Sequence, residues 1–431
     1  MKKKTLLNSL YPWVIFTLSS SFLFFKYLLQ VSPSVMANEL MRTFSLTGEA
    51  LGNLAAFYFY AYLCMQLPAG LLLDHLSPKR LLVAAVAVCA FGALLFSKAE
   101  VLTVANLGRL MIGIGGAFSA VGTMKLITLW FPPNRFALVS GLMMTIGMLG
   151  AVGGEAPLSY LVSLSGWRQA MLYCGLAGFV LAVCIWLLIF EKKARYKPPS
   201  VHTETFFSDL LNIIKNPQSW LISLYSGLAF APISAFSGLW GVSFLVETSH
   251  LHRTKVAGMI SLTFIGFAIG SPLAGWLSDF IGRRKPIMII GTLLGLLALS
   301  ALVYLQISNS LMMSFLLFLF GFFTSFFFVS FAHMKEINSH HASGTAIGFI
   351  NMFNAVFGAL SEPLVGKLLD LGWDHKIRDG ARVFSILDYH HALLTLPLAM
   401  LIALVLQLSI KETFCQPLKQ LKCADNSVSS F

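Results

Sequence analysis

The chain has 431 residues, 57% of them apolar and 11% charged, with a formal net charge of +12. A soluble domain carries about 25% charged residues because its surface faces water. The composition therefore argues against a cytosolic enzyme, a secreted domain, a disordered regulator and a nucleic-acid binder, and for an integral membrane protein whose positive excess sets orientation.

A membrane-spanning helix needs about 20 apolar residues. By that rule the sequence predicts an all-α membrane protein with twelve transmembrane helices, near 12–36, 48–73, 81–97, 102–127, 136–163, 168–190, 219–247, 255–278, 286–306, 311–334, 343–371 and 390–410. Met1-Lys2-Lys3-Lys4 precedes the first apolar run as in a signal peptide, but the run continues to Val35 without a small-residue cleavage site. It is read as the first span. The longest interruption, 191–218, is polar, basic and proline-punctuated. It divides the chain into an N-terminal six-helix half (1–190), a cytoplasmic central loop (191–218) and a C-terminal six-helix half with a short cytoplasmic tail (219–431). Phe206 to Ile214 mixes polar and apolar residues, the pattern of a short helix lying on the membrane surface.

Lys and Arg divide unevenly between the two sets of loops, eighteen against eight, and four fall within spans: Lys26, Arg109, Lys125 and Lys367. The positive-inside rule then puts both termini and the central loop in the cytoplasm. Six cysteines (Cys64, Cys89, Cys174, Cys184, Cys415 and Cys423) stand at neither metal-ligand nor redox spacing, and read as small buried apolar residues or free thiols. No phosphate-cradling Gly-x-x-x-x-Gly-Lys-Ser/Thr loop occurs, and His340-His341 and His390-His391 lack partners at ligand spacing. No enzyme activity, cofactor or metal site is expected.

The halves repeat. Gly70-Leu71-Leu72-Leu73-Asp74 follows the second span and Gly275-Trp276-Leu277-Ser278-Asp279 the eighth, 205 residues on. Pro157 and Pro363, Gly166 and Gly372, and Trp167 and Trp373 are each 206 apart, so the offset persists through two separated elements. With Gly282-Arg283-Arg284, the second loop completes the Gly-x-x-x-Asp-x-x-Gly-Arg-Arg/Lys pattern; the first has Ser77 and Pro78 where that pattern has a glycine and a base. Arg109 before Gly113, Gly115 and Gly116, and the run Gly141, Gly147, Gly150, Gly153, Gly154 and Pro157, add two glycine-rich helices. On these motifs the whole chain resembles the major facilitator superfamily (MFS). That resemblance implies an MFS fold of two pseudo-symmetric six-helix halves, alternating access, and gating through Gly70, Asp74, Gly275, Asp279 and Arg283. Physically, the glycines would let helix ends approach and the acids would accept from backbone N–H groups or a nearby Arg.

An ionised side chain at mid-membrane costs about 2.5–3.5 kcal/mol on insertion scales, so those present need a reason. Lys26 lies past the middle of the first span with no acid in that helix, which suits an anion-binding charge. Arg109 and Glu155 share a depth on consecutive helices, so Arg109 is either a substrate ligand or half of a structural ion pair. Glu155 and Glu362 are the acids well inside spans and are the candidates for proton coupling. Tyr58, Tyr62, Tyr225 and Trp240 are candidate substrate contacts because a buried O–H or N–H needs a partner; Asn351 and Asn354 join them. Phe326-Phe327-Phe328 reads as lipid-facing or packing. Pro33 and Pro232 can open the backbone ladder near a substrate or kink a helix for packing.

Gln30 to Met36, and Ala231 to Phe236 with Leu239-Trp240-Gly241, look similar to a bacterial branch containing phagosomal nutrient importers of intracellular pathogens. That likeness implies a symporter of the bacterial inner membrane that imports an amino acid or nucleoside with protons. The reading is a monomeric secondary active transporter of a small polar metabolite (amino acid, organic anion or nucleoside), whose partners are that substrate, protons and the lipid bilayer, with no nucleic acid. A multidrug or siderophore exporter and a non-transporting nutrient sensor are the alternatives.

Overall fold

A computed structural model of the chain describes residues 2–132, 135–190, 203–339 and 342–416. The basic stretch 191–202, His340-His341, Cys423 and the tail from 417 lie outside the described residues, as does the side chain of Asp74.

The first pass is α1 (Lys2–Val31), a short 3-10 turn (Ser32–Met36) and α2 (Ala37–Phe44). The turn begins where Pro33 supplies no N–H to the ladder. Passes two to four are α3 (Gly48–His75), α4 (Pro78–Ser97) and α5 (Leu102–Trp130). Two helices follow, α6 (Phe136–Gly154) and α7 (Ala156–Leu188), and supply two passes: α6 with the start of α7, then α7 beyond Gly166. Gly166 makes that reversal with φ of +79°, which a side chain would resist.

The short amphipathic helix expected near 206–214 forms as α8 (Thr203–Lys215). Pass seven is α9 (Pro217–Pro232), a π-helical segment (Ile233–Trp240) and α10 (Gly241–Ser249). Passes eight and nine are α11 (Arg253–Ile281) and α12 (Lys285–Tyr304). Pass ten joins α13 (Ser310–Thr324), a 3-10 turn (Ser325–Phe328) and α14 (Val329–Glu336). Pass eleven is α15 (Ser343–Gly372), and pass twelve is α16 (Ile386–Leu393) with α17 (Thr395–Ser409). Between these two passes a small hairpin, β1 (Ile377–Arg378) with β2 (Ala381–Arg382), was not legible in the sequence.

Ten helical stretches among the described residues are long and apolar enough to cross a membrane. One of them, Leu138–Leu188, contains the two passes that turn at Gly166; Gly48–His75 is the remaining pass. Outward side chains such as Leu164, Leu187, Leu311 and Leu408 are apolar and exposed, as contact with hydrocarbon requires. The protein is an all-α, multi-pass membrane protein of twelve helices in two six-helix halves.

The two related loops end their helices differently. Gly282 closes α11 in the left-handed conformation, φ +70°, and its N–H returns to the Asp279 carbonyl. In the other copy Ser77 caps α4, accepting from the Arg80 N–H, and Pro78 occupies the first helical turn. The two departures from the pattern thus form an ordinary helix start.

Small residues let helices meet closely. A Cβ on Gly92 would stand 2.7 Å from the Gly108 carbonyl oxygen within the N-terminal half. Across the halves, a Cβ on Gly52 would stand 2.5 Å from the Glu362 carbonyl oxygen, and one on Gly48 2.6 Å from that of Gly366. With an even number of passes α1 begins and α17 ends on one face, the terminal face, and α3 and α15 are pressed together at the other, the far face.

Candidate functional site

At the far face the halves are hydrogen-bonded to each other. The Asp370 carboxylate on α15 accepts the first two N–H groups of α3, from Gly48 and Glu49, each at 2.8 Å. An anion at a helix N-terminus is favoured by the unsatisfied N–H groups and the helix dipole. Arg382 of the hairpin completes this contact at 3.0 Å from Asp370. Arg253 reaches the Ser34 carbonyl at 3.1 Å, and Ser159 meets Thr254 at 3.4 Å. Toward the terminal face a crevice of about 300 Å³ separates the halves, with Met144 and Met148 of α6 on one side and Phe267, Ser271 and Gly275 of α11 on the other.

Above that crevice lies a cavity of about 90 Å³ between the halves. Its N-terminal wall is Lys26, Tyr27 and Gln30 from α1 with Tyr58, Phe59 and Tyr62 from α3. Its C-terminal wall combines Phe230, Ser234, Phe264, Phe267, Phe327 and Phe328 with Asn351, Asn354 and Glu362. Of the ten substrate-contact and coupling residues expected from the sequence, six line this cavity: Lys26, Tyr58, Tyr62, Asn351, Asn354 and Glu362.

Lys26 is 4% exposed, and among the described residues no carboxylate lies within ion-pair distance of it. Its Nζ stands 3.6 Å from the centroid of the Tyr27 ring and 5.1 and 5.6 Å from those of Tyr62 and Tyr58. Tyr58 and Tyr62, one helical turn apart, are stacked at 5.7 Å. Ring faces can stabilise a cation without neutralising it. Gly116 provides the room, since a Cβ there would stand 3.1 Å from Lys26 Cγ. Three buried polar atoms of the wall have no partner among the described residues: the Tyr58 hydroxyl, Gln30 Oε1 and Glu362 Oε2. The amide of Asn351 donates to the Tyr62 hydroxyl at 3.3 Å, bridging the halves, and Asn354 accepts from Ser226 at 2.8 Å.

The two prolines shape this site. Pro33 stands four residues after Leu29, so the Leu29 carbonyl has no helical donor. Arg109 supplies one at 2.7 Å, with further donations to the carbonyls of Gln30 at 3.2 Å and Ala55 at 3.0 Å. Arg109 thus donates to backbone carbonyls and does not line the cavity, and the ion pair with Glu155 considered from the sequence does not form, Glu155 lying instead against the Ser34 hydroxyl. After Pro232 the backbone widens into the π-helical segment. That segment turns Ser234 onto Glu362 Oε1 at 3.0 Å and the Trp240 indole onto the Glu362 carbonyl at 3.0 Å. Trp240 thus holds the backbone behind the cavity and does not face it. Tyr225 also points elsewhere, with its hydroxyl 3.1 Å from Thr292 inside the C-terminal half. Glu155 sits in the break between α6 and α7 beneath the far-face contact, 2.7 Å from the Ser34 hydroxyl and away from the cavity.

A Cβ on Gly70 or Gly275 would meet nothing within 4 Å, so neither glycine marks a close approach in this state. Asp279 takes its base from Arg284, at 2.5 Å, and not from Arg283, whose guanidinium lies over the Phe414 ring at 5.7 Å. Arg284 also pairs with Glu336 at 2.7 Å, and its N–H donates to Glu412 at 2.9 Å. This cluster lies wholly within the C-terminal half. Burial pulls the Arg284 guanidinium down, but its bonds to Glu336 and Asp279 outweigh that and hold it above its ordinary value. Glu412 is pushed up by burial, yet N–H donations from Arg284, Lys285 and Thr413 hold it below the usual carboxylate range.

Sequence reasoning missed Gln30, Ser234 and the far-face residues Ser34, Arg253, Asp370 and Arg382. It also read Phe327 and Phe328 as packing or lipid-facing, whereas the 3-10 turn brings both to the cavity. Gly48, Gly52 and Gly366 were the available signal for the far-face contact, because small residues recur where α3 and α15 meet.

A twelve-pass bundle whose halves close at one face and part at the other, with a charged cavity midway, defines a membrane transporter. The chain belongs to the Major Facilitator Superfamily, whose model matches residues 14–251 and 222–410. It is 29% identical over 185 residues to "Uncharacterized transporter YybO" of Bacillus subtilis (strain 168), a match spanning 43% of this chain and 42% of that one. It is 22% identical over 386 residues to "Probable galactarate/D-glucarate transporter GudP" of Escherichia coli (strain K12), covering 80% of this chain and 84% of that one. The fold matches a solved bacterial homolog to the human lysosomal transporter Spinster with a TM-score of 0.74 at 16% identity, over 93% of this chain and 95% of that one. The chain is accordingly a transporter of a small molecule rather than an enzyme.

Proposed function

We propose that this transporter imports a small organic anion together with protons, with Lys26 as the residue that binds the anionic group. The observation that carries the reading is the position of Lys26. A buried ammonium faces the cavity between the halves, ringed by tyrosines and without an acid in ion-pair reach among the described residues. An anion arriving there gains a charge-assisted bond that no protein group already fills. The partnerless Tyr58 hydroxyl and the amides of Asn351 and Asn354 suit its neutral polar atoms. GudP, by its name, handles the diacids galactarate and D-glucarate, which accords with an anionic cargo.

Glu362 and Glu155 are the proton carriers in this reading. Ser34 has one hydroxyl proton but two acceptors in reach, the Val31 carbonyl at 2.8 Å and Glu155 Oε1 at 2.7 Å. Both bonds form together when Glu155 is protonated and donates to Ser34. Glu362 faces the cavity with one oxygen partnerless, so its proton can respond to the cargo. The terminal face, carrying the central loop and most of the Lys and Arg of the loops, is cytoplasmic on the positive-inside rule. The state described is then inward-facing, in a monomer of a bacterial inner membrane, built from halves 1–190 and 219–431 about the loop 191–218.

Counterflow in proteoliposomes tests the reading with a panel of labelled organic anions, amino acids and nucleosides. Wild type should exchange an anion, and Lys26→Ala should exchange it at least about a hundredfold more slowly, as expected when a charged partner is deleted from a site built to bond it. Unchanged exchange by Lys26→Ala would reject the assignment. If Glu155→Gln, Glu362→Gln kept full dependence on a pH gradient, proton coupling through these residues would be rejected.

A further inference from the structure

The two walls of the cavity differ in kind. Lys26, Tyr58 and Tyr62 face it from the N-terminal half with a charge and hydroxyls, whereas much of the opposite wall is phenylalanine. Those rings form a continuous path: Phe230 meets Phe327 at 6.1 Å, Phe327 meets Phe267 at 6.1 Å, and Phe267 meets Phe328 at 5.5 Å. Phe59 joins it from the first half, 6.4 Å from Phe230. These rings offer edges and faces to a flat ring and carry no donor or acceptor of their own. A polyhydroxylated chain such as galactarate would lose water from every hydroxyl laid against these rings and could bond only where Ser234, Asn351, Asn354 or Glu362 interrupts them.

From this division we propose, building on the anion reading above, that the cargo is an anion with a flat unsaturated ring. Lys26 holds its carboxylate and the phenylalanine wall takes the ring. The relevant chemical class is an aromatic carboxylate, and the wall selects it against polyhydroxylated sugar acids.

Equilibrium binding to the purified full-length protein tests this with three probes: benzoate, cyclohexanecarboxylate and galactarate. Benzoate should bind about tenfold or more tighter than cyclohexanecarboxylate and tighter still than galactarate, a discrimination within the reach of a pocket that must leave polar groups unpaired. Phe328→Leu and Phe230→Leu keep the wall apolar while removing a ring. Each should bring the benzoate-to-cyclohexanecarboxylate ratio toward one, whereas a merely structural role would weaken both probes alike and overturn the proposal. Preference for galactarate, lost in Lys26→Ala, would overturn the aromatic cargo and leave the anion reading standing. Binding of none of the three, or binding untouched by Lys26→Ala, would overturn both.

Discussion

Two clusters of acid and base hold this molecule at its opposite faces, and they do different jobs. At the far face Asp370 reaches across the interface to the first turn of α3, with Arg382 and the hairpin behind it. At the terminal face Asp279, Arg284, Glu336 and Glu412 bond one another entirely within the C-terminal half. A contact that spans the halves exists in one state and must break in the other, so its strength sets a population. A contact inside one half can persist in both states, so its strength sets stability. The signature loop belongs to the second kind in this structure, while the contact that crosses the halves arises where no motif is legible.

The largest effect should follow removal of Arg284, which is 7% exposed. Arg284→Ala leaves Glu336 without its base, and breaking a buried pair in this way costs about 3–5 kcal/mol. Thermal unfolding in detergent should show that loss, with the distance between the halves unchanged. Asp279→Asn should cost far less, about 0–1 kcal/mol, because its side chain is 67% exposed.

Asp370→Asn should act oppositely, with little change in unfolding and a change in population. Replacing the carboxylate weakens two charge-assisted bonds, and a shift of about tenfold toward a parted far face is expected from hydrogen bonds worth about 1.5–3 kcal/mol to a charged group. Spin labels at Val101 and Leu305, both exposed and on opposite halves, would report it as a longer distance population. An unchanged distribution would put Asp370 in the same class as Asp279.

The smallest effect concerns Glu412. Its folded pKa lies below the ordinary value, so its contribution is fully present above the unfolded carboxylate pKa and is lost as pH falls through the folded one. Wild type should therefore be more stable than Glu412→Gln at neutral pH, and that gap should close on acidification. A gap independent of pH would mean that packing of the tail, not ionisation, holds this contact.

The twelve passes were legible because about 20 apolar residues in a row admit few other structures, and α8 because its mixed pattern is interfacial. The prolines were legible too, since a missing N–H has a local consequence whatever surrounds it. Side-chain direction was not. In helices apolar on nearly every side, periodicity carries no signal for which face meets the other half. Tyr225 and Trp240 therefore looked equivalent to Tyr58 and Tyr62, although one pair is bonded within its own half and the other lines the cavity. Arg109 shows the same limit: its partners are carbonyls on two other helices. Asp370 stood near a helix end in an ordinary loop pattern, and only the packing of α15 on α3 gives it a role.

The central proposal is that Lys26 binds the anionic cargo, and an anion seated there should bias which face is open. Its most direct measurement is the distance distribution between labels at Leu76 and Phe280, in the two related loops of the terminal face, with and without a transported anion in lipid nanodiscs. The account predicts that the anion shifts this distribution in wild type and leaves it unmoved in Lys26→Ala, because a ligand shifts an equilibrium only by its differential affinity for the states. An equal shift in both proteins would contradict it.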